Sequence, residues 1–237
     1  MPNRNKIGCI IQSRLGSTRL PGKVMMKVDD KHTLIHHLLN QLHQSKYCKN
    51  LVVATTSLST DDKLVEFLKN LKINFFRGSS NDCLDRYYHC AKKFNFSTII
   101  RITSDNPLID PTLLDNAVNT FLSDSYDYLS NCNPRTFPYG TEIEIFSFKA
   151  LERSWNEALK ESEREHVTPY FYNNPKKFKI FSIKNPENLS HLRWTIDVID
   201  DLILVQKIIK KIKKSPILMN DIINLYKKEP ELFKNKK

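Results

Sequence analysis

The sequence predicts an α/β protein: a Rossmann-like, three-layer fold around a mainly parallel central sheet. Two observations carry that expectation. Short apolar or β-branched runs at 7–11, 51–54, 74–76 and 98–103 alternate with helical patterns at 33–44, 60–71 and 82–94. Such alternation builds parallel βαβ units with right-handed crossovers. Polar loops also follow the first and fourth runs directly, at 12–23 and 104–107, where a wound sheet presents its carboxyl edge to ligands.

The elements follow from their residues in order. Ile7-Gly8-Cys9-Ile10-Ile11 is an apolar run of strand length, with Cys9 in the core. In the second helical pattern Leu64, Phe67, Leu68 and Leu71 share one face, and Thr60-Asp61-Asp62 is an N-terminal capping signal. Asp110 and Asp201 sit where helix caps are expected. From 131 onward the pattern changes: Asn131-Cys132-Asn133-Pro134-Arg135 is loop-like, 141–148 alternates as a strand, 148–160 reads as a helix, and 178–183 as another strand. The segment 202–212 is amphipathic through Leu204, Ile208 and Ile212, which suits a surface helix docked on the sheet better than a membrane-surface helix.

Composition narrows the function classes. At 237 residues the chain can bury one large core, so a single domain over 1–237 is expected. No run reaches the roughly 18 apolar residues of a membrane span, and no secretory signal is expected, because residues 1–6 are polar and the apolar run after them is short. The five cysteines form no CxxC pair, which argues against a disulfide framework or structural zinc and for a reducing cytoplasm. The net charge of +11 is concentrated: residues 203–237 hold ten lysines against Asp221, Glu229 and Glu231. A lysine-rich tail over 215–237, without motif or aromatic platform, points away from nucleic-acid binding.

The most informative stretch is Gln12-Ser13-Arg14-Leu15-Gly16-Ser17-Thr18-Arg19-Leu20-Pro21-Gly22-Lys23. Glycines let a backbone wrap closely around a ligand, and exposed amides with arginine and lysine favour phosphate. It is neither a Walker A sequence nor a G-x-G-x-x-G, so those rules name no ligand, and a basic surface loop is the plain alternative. Asp105 follows a strand, a position that from spacing alone is more often a loop cap than a ligand.

Ser17-Thr18-Arg19-Leu20-Pro21-Gly22-Lys23 resembles the triphosphate loop of the cytidylyltransferases that activate acidic sugars, the CMP-Kdo and CMP-sialic acid synthetases, and above all their SpsF-like spore-coat polysaccharide branch. The resemblance continues through Arg77-Gly78-Ser79, Asp82-Cys83-Leu84-Asp85-Arg86, Arg101-Ile102-Thr103-Ser104-Asp105-Asn106-Pro107, Arg164-Glu165-His166 and Leu192-Arg193-Trp194-Thr195-Ile196-Asp197, spanning roughly residues 6–205. Tyr139-Gly140-Thr141-Glu142-Ile143-Glu144 departs from the Asp-Gly-Leu-Asp-Val-Glu more usual in the family, which bears on the acceptor rather than the nucleotide.

The resemblance implies a GT-A-like nucleotidyltransferase fold and transfer of CMP from CTP to an acidic sugar or related acid, with release of pyrophosphate, in surface polysaccharide or glycan biosynthesis. It assigns nucleotide binding to Gln12, Ser13, Arg14, Gly16, Ser17, Thr18, Arg19, Lys23, Arg77, Asp82, Arg86, Thr103 and Ser104. Arg14, Lys23, Asp105 and Asp197 would be catalytic, and Asp105 and Asp197 would hold Mg²⁺, meeting from two strands and raising each other's pKa when the metal is absent. Arg101, Glu142, Glu144, His166 and Arg193 would meet the acceptor. His166 reads equally as a structural histidine, and Arg101 and Arg193 equally as partners that hold aspartates. The subregion 131–192 would bind the acceptor and supply the contact of a homodimer. Two other classes fit less well: a glycosyltransferase or sugar-nucleotide-binding pseudoenzyme of similar fold, and a basic interaction protein.

Overall fold

Seven strands, β1 (Ile7–Gln12), β2 (Leu51–Thr56), β3 (Asn74–Gly78), β4 (Thr98–Thr103), β5 (Tyr128–Ser130), β6 (Glu144–Ser147) and β7 (Ile180–Ser182), form one sheet in the order β3-β2-β1-β4-β6-β5-β7. The computed structural model describes residues 6–233. β3, β2, β1 and β4 run parallel, β6 is antiparallel to both β4 and β5, and β7 is parallel to β5. The mainly parallel α/β architecture expected from the alternation is therefore present. Every residue of β2 is buried, which is why these strands read as continuous apolar runs rather than alternating ones. Gln12 pairs with both Ala54 and Thr103, so the carboxyl ends of the first, second and fourth strands lie level.

Helices α1 (Leu34–Leu42), α2 (Asp62–Asn70) and α4 (Pro111–Ser123) pack on one face of the sheet around Ile11, Leu38, Leu64 and Leu114. On the other face α3 (Cys83–Lys93), α5 (Phe148–Glu157) and α7 (Pro169–Asn173), with the short α6 (Glu161–His166) beside α3, cover Ile10, Val52 and Phe146. A third cluster gathers α8 (Ile199–Ile212) and α9 (Met219–Lys228) around the fully buried Trp194.

Several boundaries differ from expectation, each for a local reason. The alternating segment 141–148 forms a strand only from Glu144, because Gly140 turns the chain at φ 106° and a Cβ there would lie 2.5 Å from Trp194. The helix expected over 148–160 stops at Glu157, where Ala158 is extended. Asp110 caps α4 by accepting the N–H groups of Thr112 at 2.7 Å and Leu113 at 3.0 Å, and Asp201 accepts those of Asp197 and Val198 at the start of α8, as expected. Asp61 does not cap α2; its carboxylate turns elsewhere. α8 docks on Trp194, Ile196 and α9 rather than on the sheet itself. The region from 215 is not simply a solvated tail, since Ile222 and Ile223 of α9 are buried; its last residues, 234–237, lie outside the described residues. Among the described residues no helix is long and apolar enough to cross a membrane.

Candidate active site

The loop after β1 is closed by its own backbone. The carbonyl of Leu15 accepts the N–H groups of Ser17 and Gly22, both at 2.9 Å. Gly22 has φ 71°, a left-handed conformation that costs glycine nothing, and it turns the chain into the single 3-10 turn Lys23–Met25. This aims Lys23 inward. Its ammonium lies 2.5 Å from the Ile196 carbonyl, 3.4 Å from Asp105 Oδ2 and 3.3 Å from Asp197 Oδ1. The two carboxylate oxygens are thus no further apart than the sum of the last two distances.

Asp105 stands where β4 ends, as the sequence suggested, with Ser104 donating its N–H to the Gln12 carbonyl at 3.0 Å. Asp197 does not come from a second strand. It ends an extended segment bridged to Tyr139 at Arg193 and bonded to the Asp105 carbonyl through the Ile196 N–H at 2.9 Å. The apolar residues that made this segment look like a strand, Trp194 and Ile196, are buried by α8 and α9 instead.

These residues frame a two-lobed cleft at the carboxyl edge of the sheet. One lobe, of about 220 Å³, is lined by Ser13, Ser17, Thr18, Lys23, Thr103, Ser104 and Asp197. The other, of about 480 Å³, is lined by Ser80, Asn81, Cys83, Arg86, Glu161, Glu165 and His166. Gln12, Arg14, Arg19 and Asp105 line both. Gly16 lies beside the larger lobe in a smaller hollow with Thr56, Ser80 and Asn81, and a Cβ on it would meet nothing within 4 Å. Ser13 Oγ is buried in the lining with no hydrogen-bond partner, a polar atom left over for a ligand.

Other residues named from sequence sit behind or beside this cleft. Arg77 is not in the lining: its guanidinium bonds the carbonyls of Thr56 at 2.9 Å and Leu58 at 2.7 Å and pairs with Asp62 at 2.6 Å. Asp82 caps α3, accepting the Asp85 N–H at 2.8 Å, and pairs with Arg164 at 2.5 Å. Arg101 and Glu144 pair between β4 and β6, with Gln12 on the arginine and the Tyr128 hydroxyl donating to the glutamate at 2.5 Å, while the buried Arg101 Nε has no partner among the described residues. Glu142 accepts from Arg135 at 2.7 Å, Asn106 at 2.9 Å and the Gly140 N–H at 2.8 Å. Arg193 pairs with Asp197, the holding role that was one of its two readings. His166 is exposed on the cleft wall, beside the strained Val167 at φ 72°.

Sequence reasoning passed over Ser80, Asn81, Glu161 and Glu165. The first two had a usable signal: they link β3 to α3, at the same carboxyl edge that picked out Asp105. Glu165 stood within the family-like segment Arg164-Glu165-His166 without a role assigned to it, and Glu161 had no signal, because α6 is only six residues long.

Charge in the cleft is balanced and divided: Arg14, Arg19, Lys23 and Arg86 face Asp105, Asp197, Glu161 and Glu165. Burial would raise the pKa of Asp197, but the Lys23 charge, the Arg193 hydrogen bond and the Arg19 charge outweigh it and hold this carboxyl below its usual range. The mutual raising expected of two neighbouring aspartates is overturned at Asp197, because a lysine stands between them. Burial pushes Glu142 up against the opposing pull of Arg135. Burial alone would lower Arg101, yet the Glu144 carboxylate raises it further. Among the described residues no cluster of three or more His, Cys, Asp or Glu side chains could hold a metal alone.

A loop of amides, arginine and lysine facing two aspartates across the carboxyl edge of a parallel sheet is an arrangement for a polyphosphate. Comparison with known proteins agrees. The chain is 32% identical to the spore coat polysaccharide biosynthesis protein SpsF of Bacillus subtilis, covering 96% of each chain. It superposes on the structure of a cytidylyltransferase from Leptospira borgpetersenii with TM-score 0.93 at 39% identity, covering 98% of both chains. The fold is shared with a CMP:2-keto-3-deoxy-manno-octonic acid synthetase complexed with CTP, at TM-score 0.67 and 14% identity over 87% of this chain and 99% of that one. A cytidylyltransferase profile matches residues 8–232, and the chain belongs to the cytidylyltransferase family.

Proposed function

We propose that this protein transfers CMP from CTP to a hydroxyl of an acidic sugar or related acid, releasing pyrophosphate, in the assembly of a surface polysaccharide. The observation that carries the reading is the Lys23 ammonium held between Asp105 and Asp197 at the mouth of the loop 12–23. SpsF, named for polysaccharide biosynthesis, and the fold neighbour complexed with CTP support the nucleotide and the pathway class.

In this reading the loop amides and Arg14 bind the triphosphate, and the 480 Å³ lobe receives what the phosphates are attached to. The acceptor hydroxyl gives up its proton to solvent as its oxygen forms a bond to the α-phosphorus and the bond from that phosphorus to the bridging β-phosphate oxygen breaks, and pyrophosphate leaves towards Arg14 and Lys23. Positioning and charge neutralisation do most of the work in such a transfer. Lys23 would neutralise the departing charge from where it stands, its ammonium fixed on the Ile196 carbonyl at 2.5 Å. Arg193 and Arg19 keep Asp197 ionised and aimed.

Mg²⁺ belongs to the proposal, and the donor set suits it. Asp105 Oδ1 accepts no hydrogen bond among the described residues, whereas both Asp197 oxygens accept from Arg19, Lys23 or Arg193. Asp105 would therefore be the first carboxylate to hold Mg²⁺, with Asp197 exchanging a cation for it and phosphate oxygens and water completing the set. Bound there through Asp105 and Asp197, the ion would neutralise phosphate charge. An acidic acceptor would be recognised by Arg193, which stands behind Asp197, and a homodimer contact through 131–192 completes the proposal.

Pyrophosphate release, measured for CTP, UTP, ATP and GTP across a panel of acidic sugars with and without Mg²⁺, tests it. Release is expected with CTP and an acidic sugar, and only with the metal. Preference for a purine nucleotide would overturn the assignment. Binding of CTP without release would favour a sugar-nucleotide-binding protein of the same fold.

A further inference from the structure

One buried carboxylate behind the loop has no part in the chemistry above. Asp61 is 1% exposed and ends the 3-10 turn Ser59–Asp61 that joins β2 to α2. Among the described residues it forms no ion pair. Its Oδ1 accepts the Leu15 N–H at 2.7 Å. Its Oδ2 accepts the Thr55 hydroxyl at 2.9 Å, the Thr56 N–H at 3.2 Å and the Thr56 hydroxyl at closer range. Burying a carboxylate without a cation is costly, and none of the N–H groups of α2 uses it as a cap. What it reaches is the loop, 46 residues away in sequence.

The peptide at Leu15 is where the loop closes on itself, since the Leu15 carbonyl takes the N–H groups of Ser17 and Gly22. Its amide is gripped from inside by Asp61, and its neighbours Arg14 and Gly16 face the hollows of the cleft. Burial works against ionisation of Asp61, but its four hydrogen bonds keep the carboxyl below its ordinary pKa.

We propose that Asp61 is a positioning residue for the nucleotide loop: by accepting the Leu15 N–H it fixes the path of residues 14–22 before a triphosphate arrives. The inference rests on the loop being the CTP site. A merely structural role, tying the end of β2 to α2, would use only the two threonines.

Asp61→Asn separates the two. The amide keeps the shape, but its NH₂ must face either the Leu15 N–H or the Thr56 N–H, donor against donor. Thr55→Val is the control, because it removes a bond to the same carboxylate on the side away from the loop. Calorimetry and thermal unfolding of both variants are compared with wild type. Asp61→Asn should weaken CTP binding by about tenfold or more, the scale of a hydrogen bond to a charged group, and raise the KM for CTP without raising that for the acceptor. Cytidine binding should change less, because it makes no phosphate contact. Thr55→Val should lower the Tm and leave CTP affinity alone. Unchanged CTP affinity in Asp61→Asn, or an equal loss in Thr55→Val, overturns the inference. If the asparagine variant does not fold, Asp61→Glu, which keeps the charge but displaces the oxygens by a methylene, is held to the same outcomes. In the wild type, fast hydrogen exchange at the Leu15 amide would also overturn it. Wild-type protein that fails to bind CTP removes the nucleotide reading and this inference with it, whereas wild-type binding with an indifferent Asp61→Asn removes this inference alone.

Discussion

Arg14 stands in the loop just after β1 and Arg101 within the neighbouring parallel strand β4, yet the fold treats them in opposite ways. Arg14 is exposed, and among the described residues its side chain has no ion-pair partner. Arg101 is enclosed, paired with Glu144, bonded to Gln12 and lies 5.9 Å over the Tyr87 ring. The contrast extends to their surroundings. On the loop side Arg14 is left open, while Arg19 and Lys23 converge on Asp197 at 2.8 and 3.3 Å, where a phosphate would compete for them. On the side of β6, Arg101–Glu144, Arg135–Glu142 and Arg193–Asp197 form closed pairs. Open charge is available for binding, while closed pairs set geometry and penalise the loss of either partner. Stability and activity should therefore separate between the two regions.

The largest expected effect is on the closed side. Arg101→Met leaves Glu144 buried with only the Tyr128 hydroxyl, and breaking such a pair typically costs about 3–5 kcal/mol of stability. Urea unfolding checks this. A loss below about 1 kcal/mol would mean that the pair behaves as a surface pair and that the comparison fails. Replacing Arg101 and Glu144 together by apolar residues should cost much less than Arg101→Met alone.

Asp105→Asn and Asp197→Asn lie between the two regions and test where they join. Each should lower kcat by about 10²–10³-fold, the range for removing one charge-stabilising group at a reacting centre. The double variant should be little worse than either, because residues that act as a unit are not additive. Multiplicative losses in steady-state kinetics would show that the two aspartates work separately. On the open side, Arg14→Ala should weaken CTP binding by about 1.5–3 kcal/mol with the Tm unchanged. A fall in Tm with intact binding would place Arg14 in the closed class.

The same contrast explains what the sequence revealed. β1, β2 and β4 were legible because largely buried strands read as apolar runs, the edge strand β3 through Phe75 and Phe76, and the loops after β1 and β4 followed from the direction of a parallel sheet. β5, α6 and α7, of three to six residues, were not, although the equally short β7 was, and the ten-residue α9 was hidden in what read as a lysine-rich tail. Lys23 and Asp105 were named from motif and position, and both meet Asp197. That Lys23 would lie between the aspartates depends on the turn at Gly22 and on a segment 173 residues away, which no local pattern encodes. Asp61 shows the limit most clearly. Its residue type and place announced a helix cap, and the acceptor was real, but the donor came from Leu15. Sequence identifies groups that want partners more readily than it identifies the partners.

The smallest effect is a dependence on pH at the joint itself. In the folded protein Asp197 keeps its charge to lower pH than a free aspartate, because Lys23, Arg193 and Arg19 together outweigh the effect of burial. Above the pKa of the unfolded chain both states are ionised, and the full stabilisation is present. As pH falls through the ordinary aspartate range the unfolded chain takes up a proton first, so stability declines until the folded pKa is passed. Asparagine at this position cannot titrate. The unfolding free energy of wild type minus that of Asp197→Asn, followed from neutral pH downward, should therefore shrink through that window and then level off. A difference that stayed flat would mean the three cations do not act on Asp197. One that grew on acidification would mean that burial prevails over them, and the joint would then belong with the closed, desolvated half of the molecule rather than with the loop.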